Sequence, residues 1–253
     1  MQDDRVAFFR ARPSSVIWRV DQYRGERSID VEATQLESRG ITKRSEQQKI
    51  LADWIEFLTE STTRVTRLNL VSRVPQELLE AVAGQPQLES LHLKWGPYSE
   101  LSAVSNLIGL RTLSLGGARA VTDLHPLLTL DRLETLVIDQ PFAVGNPEPI
   151  AALRTLKHLS YGNGHLGSDR TIEMTDIAWI GDLTNLRTLH LPGTRLPADQ
   201  LPVLRRLPKL VALQIPLRRA YRTAVFDAAP TSEVFAHLAK EYEGLDALRA
   251  AAR

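Results

Sequence analysis

Asp123, His125 and Asp131 lie within VTDLHPLLTLDRLETLVI, residues 121–138, close enough in sequence for a carboxylate to orient an imidazole in acid–base chemistry. His92, His158 and His190 each border a leucine in short apolar runs, where imidazole nitrogens could serve as metal ligands. GNGHLG, residues 162–167, has the glycine spacing of a dinucleotide loop, and Asp182 stands 20 residues beyond Gly162. Such a loop needs a helix opening at its third glycine and an acid ending the next strand. Here SDRTIEM follows, a poor helix start, and Asp182 precedes the next strand, which begins near Leu186. Arg205, Arg206, Lys209, Arg218, Arg219 and Arg222 gather positive charge that could hold phosphate or an acidic protein surface. Only Tyr221 stands among them, so the aromatic stripe of a nucleic-acid binder is missing and a solvated face is the plainer reading.

Composition narrows the chemistry further. The 253 residues contain no cysteine, which removes disulfides, thiolate nucleophiles and Cys-based zinc sites. No GxSxG, HExxH or GxxxxGK[ST] occurs. A net charge of +1 gives no global electrostatic case for nucleic acid or an anionic membrane. The 25 arginines against 6 lysines point to a GC-rich bacterial genome rather than to a function. No run approaches the ~18 apolar residues of a membrane span, and the four-residue apolar run in MQDDRVAFFRARP is too short for a signal-peptide core. A soluble, cytoplasmic protein without a small-molecule cofactor is expected.

The elements that must position these residues repeat. Seven segments share the frame LxxLxL or a close substitute: VTRLNL, LESLHL, LRTLSL, LETLVI, LKHLSY, LRTLHL and LVALQI, beginning at Val65, Leu88, Leu110, Leu133, Leu156, Leu186 and Leu210. Successive starts differ by 23, 22, 23, 23, 30 and 24 residues. The last two apolar residues of each frame flank one residue that is polar in every copy except Val137, the period-2 sign of a strand with one buried face. A second apolar set follows, such as Leu78, Leu79 and Val82, or Leu201, Leu204 and Leu207. One such unit cannot cover its own apolar side, so neighbours must stack around a continuous core.

The frames and their period resemble leucine-rich repeats. The resemblance implies an α/β solenoid of about seven repeats, with a curved parallel sheet on the concave face and short helices or turns on the convex face. VTDLHPL and MTDIAWIGDL resemble the convex segment of the bacterial internalin-like variety, roughly [IV]-[ST]-D-[IL]-x-P-L. In that place Asp123 and Asp176 cap the following turn, Pro126 sits early in it without needing a donor, and His125 is a solvated spacer. The chain departs from the family where an asparagine ladder normally runs: that slot holds Arg73, Gly96, Ala118, Pro141, Gly164, Thr194 and Arg218, so other donors must satisfy the turn backbone.

The ends do not repeat. Residues 1–63 read as an N-terminal cap: SVIWRVDQY and RSIDVEAT as two strands of a hairpin, then SEQQKILADWIEFLTE as an amphipathic helix with Ile50, Leu51, Trp54, Ile55 and Leu58 on one face. Residues 64–217 carry the repeats, with an inserted flexible loop at 162–173 where the spacing lengthens to 30. Residues 218–253 read as a helical cap, with Phe235, Leu238 and Tyr242 on one face and a stop near Gly244.

Function is therefore expected on the exposed side of the strands. Arg67, Asn69, His92, Lys94, Trp95, Tyr98, Asp139, His158 and His190 would bind a protein partner. Asn163, His165, Asp169 and Arg170 of the loop would help, and Ser114, Gly116, Ser160 and Gly162 would leave a groove between the larger residues. Trp95 either anchors a partner or packs over the N-terminal cap. His158 and His190 would be diagonal neighbours, but Asp139 would lie two strands from His190, thin support for a metal; no metal site and no catalytic residue is assigned. The leading expectation is a non-enzymatic recognition module. The alternatives are an immunity or antitoxin-like protein that neutralises a co-encoded toxin, and an enzyme or regulator with its active residues in the N-terminal region or the loop.

Overall fold

The alternating frames become the strands of one parallel sheet. The computed structural model describes residues 16–61, 63–165 and 167–252; MQDDRVAFFRARP lies outside them, and the signal-peptide expectation with it. Nine strands follow in chain order across the sheet: β1 (Val16–Ile17), β2 (Ser28–Val31), β3 (Arg67–Arg73), β4 (Ser90–Trp95), β5 (Thr112–Leu115), β6 (Thr135–Asp139), β7 (His158–Gly162), β9 (Thr188–His190) and β11 (Ala212–Gln214). A separate pair joins β8 (Ile172–Glu173) to β10 (Thr194–Arg195). Within the main sheet Leu68, Leu91, Leu113, Leu136, Leu159, Leu189 and Leu213 are in register, each buried. The expected stacking is thus realised as a continuous spine of leucine.

The convex side is built mostly from 3-10 turns. They span Ser102–Asn106, His125–Thr129, Glu148–Ala152, Ala178–Asp182 and Ala198–Arg206, while α2 (Gln76–Ala81) is a short α-helix. Asp123 and Asp176 do cap: Asp123 Oδ1 accepts the His125 N–H at 2.9 Å and Asp176 Oδ1 that of Ala178 at 2.8 Å. Asn146 does the same for Glu148 at 2.9 Å. A short side chain bonding the N–H two residues on fixes the entry into a turn too short to supply its own partners. His125 is exposed and adds a second contact to Asp123, at 2.5 Å.

The N-terminal region corrects the sequence expectation. β1 and β2 are parallel, not a hairpin, with Val16 opposite Asp30 and Ile17 opposite Val31. Between them a 3-10 turn at Val20–Gln22 folds the chain back, its Gln22 Oε1 accepting the N–H groups of Trp18 and Arg19. β2 then pairs with β3 in the same direction, placing Ile29 beside Leu68 and Val31 beside Leu70. A strand with that alternation buries its apolar face only by extending the sheet, and parallel pairing is what the neighbouring register demands. Helix α1 (Arg44–Glu60) buries Ile50, Trp54 and Leu58, and the Trp54 indole donates to Trp18 O at 2.9 Å.

The C-terminal end is closed by α3 (Arg222–Ala228) and α4 (Glu233–Ala251), with Phe235, Leu238 and Tyr242 buried. α4 does not stop at Gly244. Nothing crowds that glycine, and the helix runs on to Ala251 with Leu245 half-buried. Among the described residues, no helix is long and apolar enough to cross a membrane.

Candidate functional site

The outward residues of the strands form straight rows. One runs Asp30, Asn69, His92, Ser114, Val137, Ser160, His190 and Gln214, each opposite the next in register. A parallel row runs Arg67, Ser90, Thr112, Thr135, His158 and Thr188. At strand spacing of about 4.8 Å these rows carry a chemically varied surface on a rigid frame.

Their side chains are tied together. The Asn69 amide donates to the Asp30 carboxylate. His158 Nδ1 is 2.9 Å from Thr188 Oγ1, and His190 Nδ1 is 3.3 Å from Ser160 Oγ. His158 and His190 are therefore diagonal, as the strand frame implies. Among the described residues, no three of His, Asp and Glu are grouped to hold a metal ion. Burial holds the His92 pKa below the ordinary imidazole value, and the Asp30 charge offsets this only in part. Ser114 is buried and Gly162 is buried, while Gly116, Val137 and Ser160 are half-buried.

Two expected contact residues turn inward. Tyr98 is fully buried: after the Gly96-Pro97 turn the chain passes under the sheet, and its hydroxyl donates to Gly116 O at 2.7 Å. Its phenol is pushed up in pKa, chiefly by burial. Asn163 is buried too. Its amide donates to Ser168 Oγ at 3.1 Å and Arg170 O at 2.7 Å, and its carbonyl accepts from Gln140 Nε2 at 3.3 Å. Asn163 thus ties down the loop, and the loop ends in β8 instead of staying irregular. His165, Asp169 and Arg170 are exposed, and the Arg170 guanidinium lies 3.8 Å from the centre of the Phe142 ring. Asp139 Oδ1 accepts the Gly164 N–H at 2.9 Å, joining the loop to the sheet.

The missing asparagine ladder is replaced by polar residues one position earlier. Ser72, Gln140 and Asn163, each just past the regular part of its strand, are all buried. Gly117, Gln140 and Gly193 share that slot with φ of 57°, 57° and 58°, so the exit turn is left-handed even where the residue is glutamine. The backbone also helps itself: Ala118 N donates to Asp139 O and Gln140 N to Gly162 O, each at 2.8 Å.

Of the six basic residues near the last repeat, Arg205, Arg206 and Arg219 are exposed and the other three are engaged. Arg218 donates to Thr194 O, Arg222 pairs with Asp246 at 2.7 Å, and Lys209 donates to Asn185 at 2.6 Å.

Trp95 is 41% exposed at the end of β4. Lys94 and Arg73 beside it are exposed. On the opposite rim Glu134 is held between Arg111 at 3.0 Å and Lys157 at 2.9 Å. The Glu134 carboxyl is lowered in pKa, first by its bond to Lys157.

No family model matches the chain, and no curated protein does. Solved structures do. An internalin, InlF, from Listeria monocytogenes strain 4b F2365 aligns with TM-score 0.53 and 20% identity, covering 76% of this chain and 50% of that one. The fold is an internalin-like leucine-rich-repeat solenoid. Internalin C2 of the same strain aligns with TM-score 0.50 and 24% identity, covering 66% of this chain and 69% of its own. The chain spans half the length of the InlF structure it matches. The solenoid frame accounts for the rows, since stacking identical units is what brings Asn69, His92, Ser114, Val137, Ser160, His190 and Gln214 into line.

Proposed function

We propose that the solenoid is a non-enzymatic, cytoplasmic recognition module that takes a protein partner on the concave face of its sheet. The observation that carries this reading is the central outward row, Asn69 to Gln214, laid across seven strands in unbroken register. Its amides, imidazoles and hydroxyls offer donors and acceptors along a line, with Val137 as an apolar centre. Interfaces gain orientation from such polar arrays and affinity from a few larger anchors. The cytoplasmic part rests on the absence of cysteine, which suits a reducing compartment.

Affinity capture from the native host, followed by titration of the purified partner, tests the reading. Val137→Arg places a charge in the middle of the row and should weaken binding at least about 100-fold, as an unpaired charge at an interface centre does. Asp176→Asn, on the convex side, should leave affinity unchanged. Equal binding by the Val137→Arg protein would remove the concave face from the site.

A further inference from the structure

Resting on that reading, we propose that the rim made by Arg73, Lys94 and Trp95 anchors an acidic segment of the protein partner, with carboxylates beside an apolar side chain. The first observation is a break in register. Leu70 pairs with Leu93 and Arg73 with Trp95, so Val71 and Ser72 face the single Lys94. Such a bulge bends the strand and re-aims its side chains, and it sets Arg73 level with Trp95 at the sheet's end. Ser72 is buried by it, with its oxygen accepting from Thr34 N at 3.2 Å and lying 3.0 Å from Thr34 Oγ1.

The second observation is what surrounds the indole. Gly96, Gly116 and Gly117 follow or flank it. A Cβ on Gly116 would lie 2.0 Å from Lys94 O, and one on Gly117 would lie 3.0 Å from Trp95 Cβ. Glycine at these two positions lets the chain leaving β5 approach Lys94 and Trp95 closely without a side chain of its own beside the indole.

The third is charge. Among the described residues, neither Arg73 nor Lys94 forms a salt bridge, and Arg119 on the same rim spends only its Nε, on Gln140 at 2.8 Å. The acids at this end of the sheet are occupied: Glu32 accepts from Arg39 at 2.7 Å and Asp30 from Asn69. Glu100, whose N–H donates to Gln76 at the start of α2, belongs to the convex side. Unpaired cations around an exposed tryptophan complement carboxylates. A long polyanion fits less well, because Asp139 stands farther along the same edge and net charge is only +1.

Selection of a random dodecapeptide library on the immobilised full chain tests this, with binding of the selected peptides then titrated at low and physiological salt. The expected result is enrichment of Asp and Glu next to an apolar residue. Affinity should fall at least about tenfold in the Arg73→Glu/Lys94→Glu protein and in Trp95→Ala, with marked salt dependence. Both sites are exposed, and unchanged urea midpoints will show that the variants fold. Enrichment of basic or purely apolar peptides, equal binding by the variants, or no enrichment would each overturn the rim proposal. So would a single-stranded oligonucleotide that displaces the peptides and binds more tightly. Peptides lost on Val137→Arg but kept on Arg73→Glu/Lys94→Glu would overturn the rim proposal while leaving concave recognition standing. Acidic peptides that need the rim but ignore Val137→Arg would do the reverse.

Discussion

Arg73 stands opposite Trp95 only because β3 spends two residues, Val71 and Ser72, where β4 spends one. The extra residue is accommodated by burying the Ser72 hydroxyl against Thr34, whose own hydroxyl reaches on to Arg73 O at 2.6 Å. Two hydroxyls from distant parts of the chain thus brace the backbone that sets Arg73 level with Trp95.

Ser72→Ala should cost about 1–2 kcal/mol, since it strands the Thr34 N–H and removes the support of the bulge. Urea denaturation gives the midpoint shift, and the indole resonance of Trp95 reports the local change. An unaltered midpoint would mean that strand pairing alone holds the bulge.

Gly116→Ala should be among the most damaging small substitutions, because its Cβ would fall 2.0 Å from Lys94 O and 2.6 Å from Leu93 O. Both contacts are backbone, so β4 and β5 must separate, and a loss of about 1–3 kcal/mol or more is expected. Gly145→Ala, in open space, should stay within about 0.5 kcal/mol of the parent. Thermal melts of the two variants check the contrast.

Stability should depend on His92 near neutral pH. Its folded pKa is depressed by burial, so on acidification the unfolded chain takes up the proton first. The stabilising contribution of neutral His92 is therefore present above the unfolded value of about 6.5 and is lost as pH falls below it. His92→Gln should flatten the decline in urea midpoint between about pH 7 and 5. Asp123 and Glu134, both with lowered carboxyl pKa values, act at lower pH and do not mimic it. A decline of unchanged slope in the variant would assign it to another group.

The repeat, the leucine spine and the capping carboxylates were legible because each follows from a local pattern: period 2 for strands, and a short acid two residues ahead of a turn N–H. Direction of pairing was not. RSIDV has the alternation of a strand, but only the neighbouring register of Leu68 and Leu70 shows that it runs parallel to β1. Tyr98 was misplaced for a related reason, since a residue two positions past Trp95 looks like a rim residue unless the Gly96-Pro97 turn is known to send it inward. The sequence did hint at the displaced ladder, in that Ser72, Gln140 and Asn163 share one slot. Burial in that slot depends on side chains reaching across repeats, as Gln140 does to Asn163, and spacing alone does not reveal it.

Asn163 decides how the inserted loop behaves. Its amide holds Ser168 and Arg170, its carbonyl holds the Gln140 amide, and beyond it β8 is fixed independently by Ile172 N to Gly193 O at 2.9 Å and Met174 N to Arg195 O at 2.8 Å. Asn163→Ala should therefore free His165 and residues 167–171 and leave β8 in place. Native-state hydrogen exchange should show faster exchange at His165 and Arg170, whose N–H groups bond Asn163 and Ser168, and unchanged protection at Ile172 and Met174. The global cost should be about 1–3 kcal/mol, because the buried Gln140 amide loses its acceptor. If protection at Ile172 fell together with that at His165, the loop and the β8–β10 pair would be one cooperative unit, and the anchoring role would belong to the pair and not to Asn163.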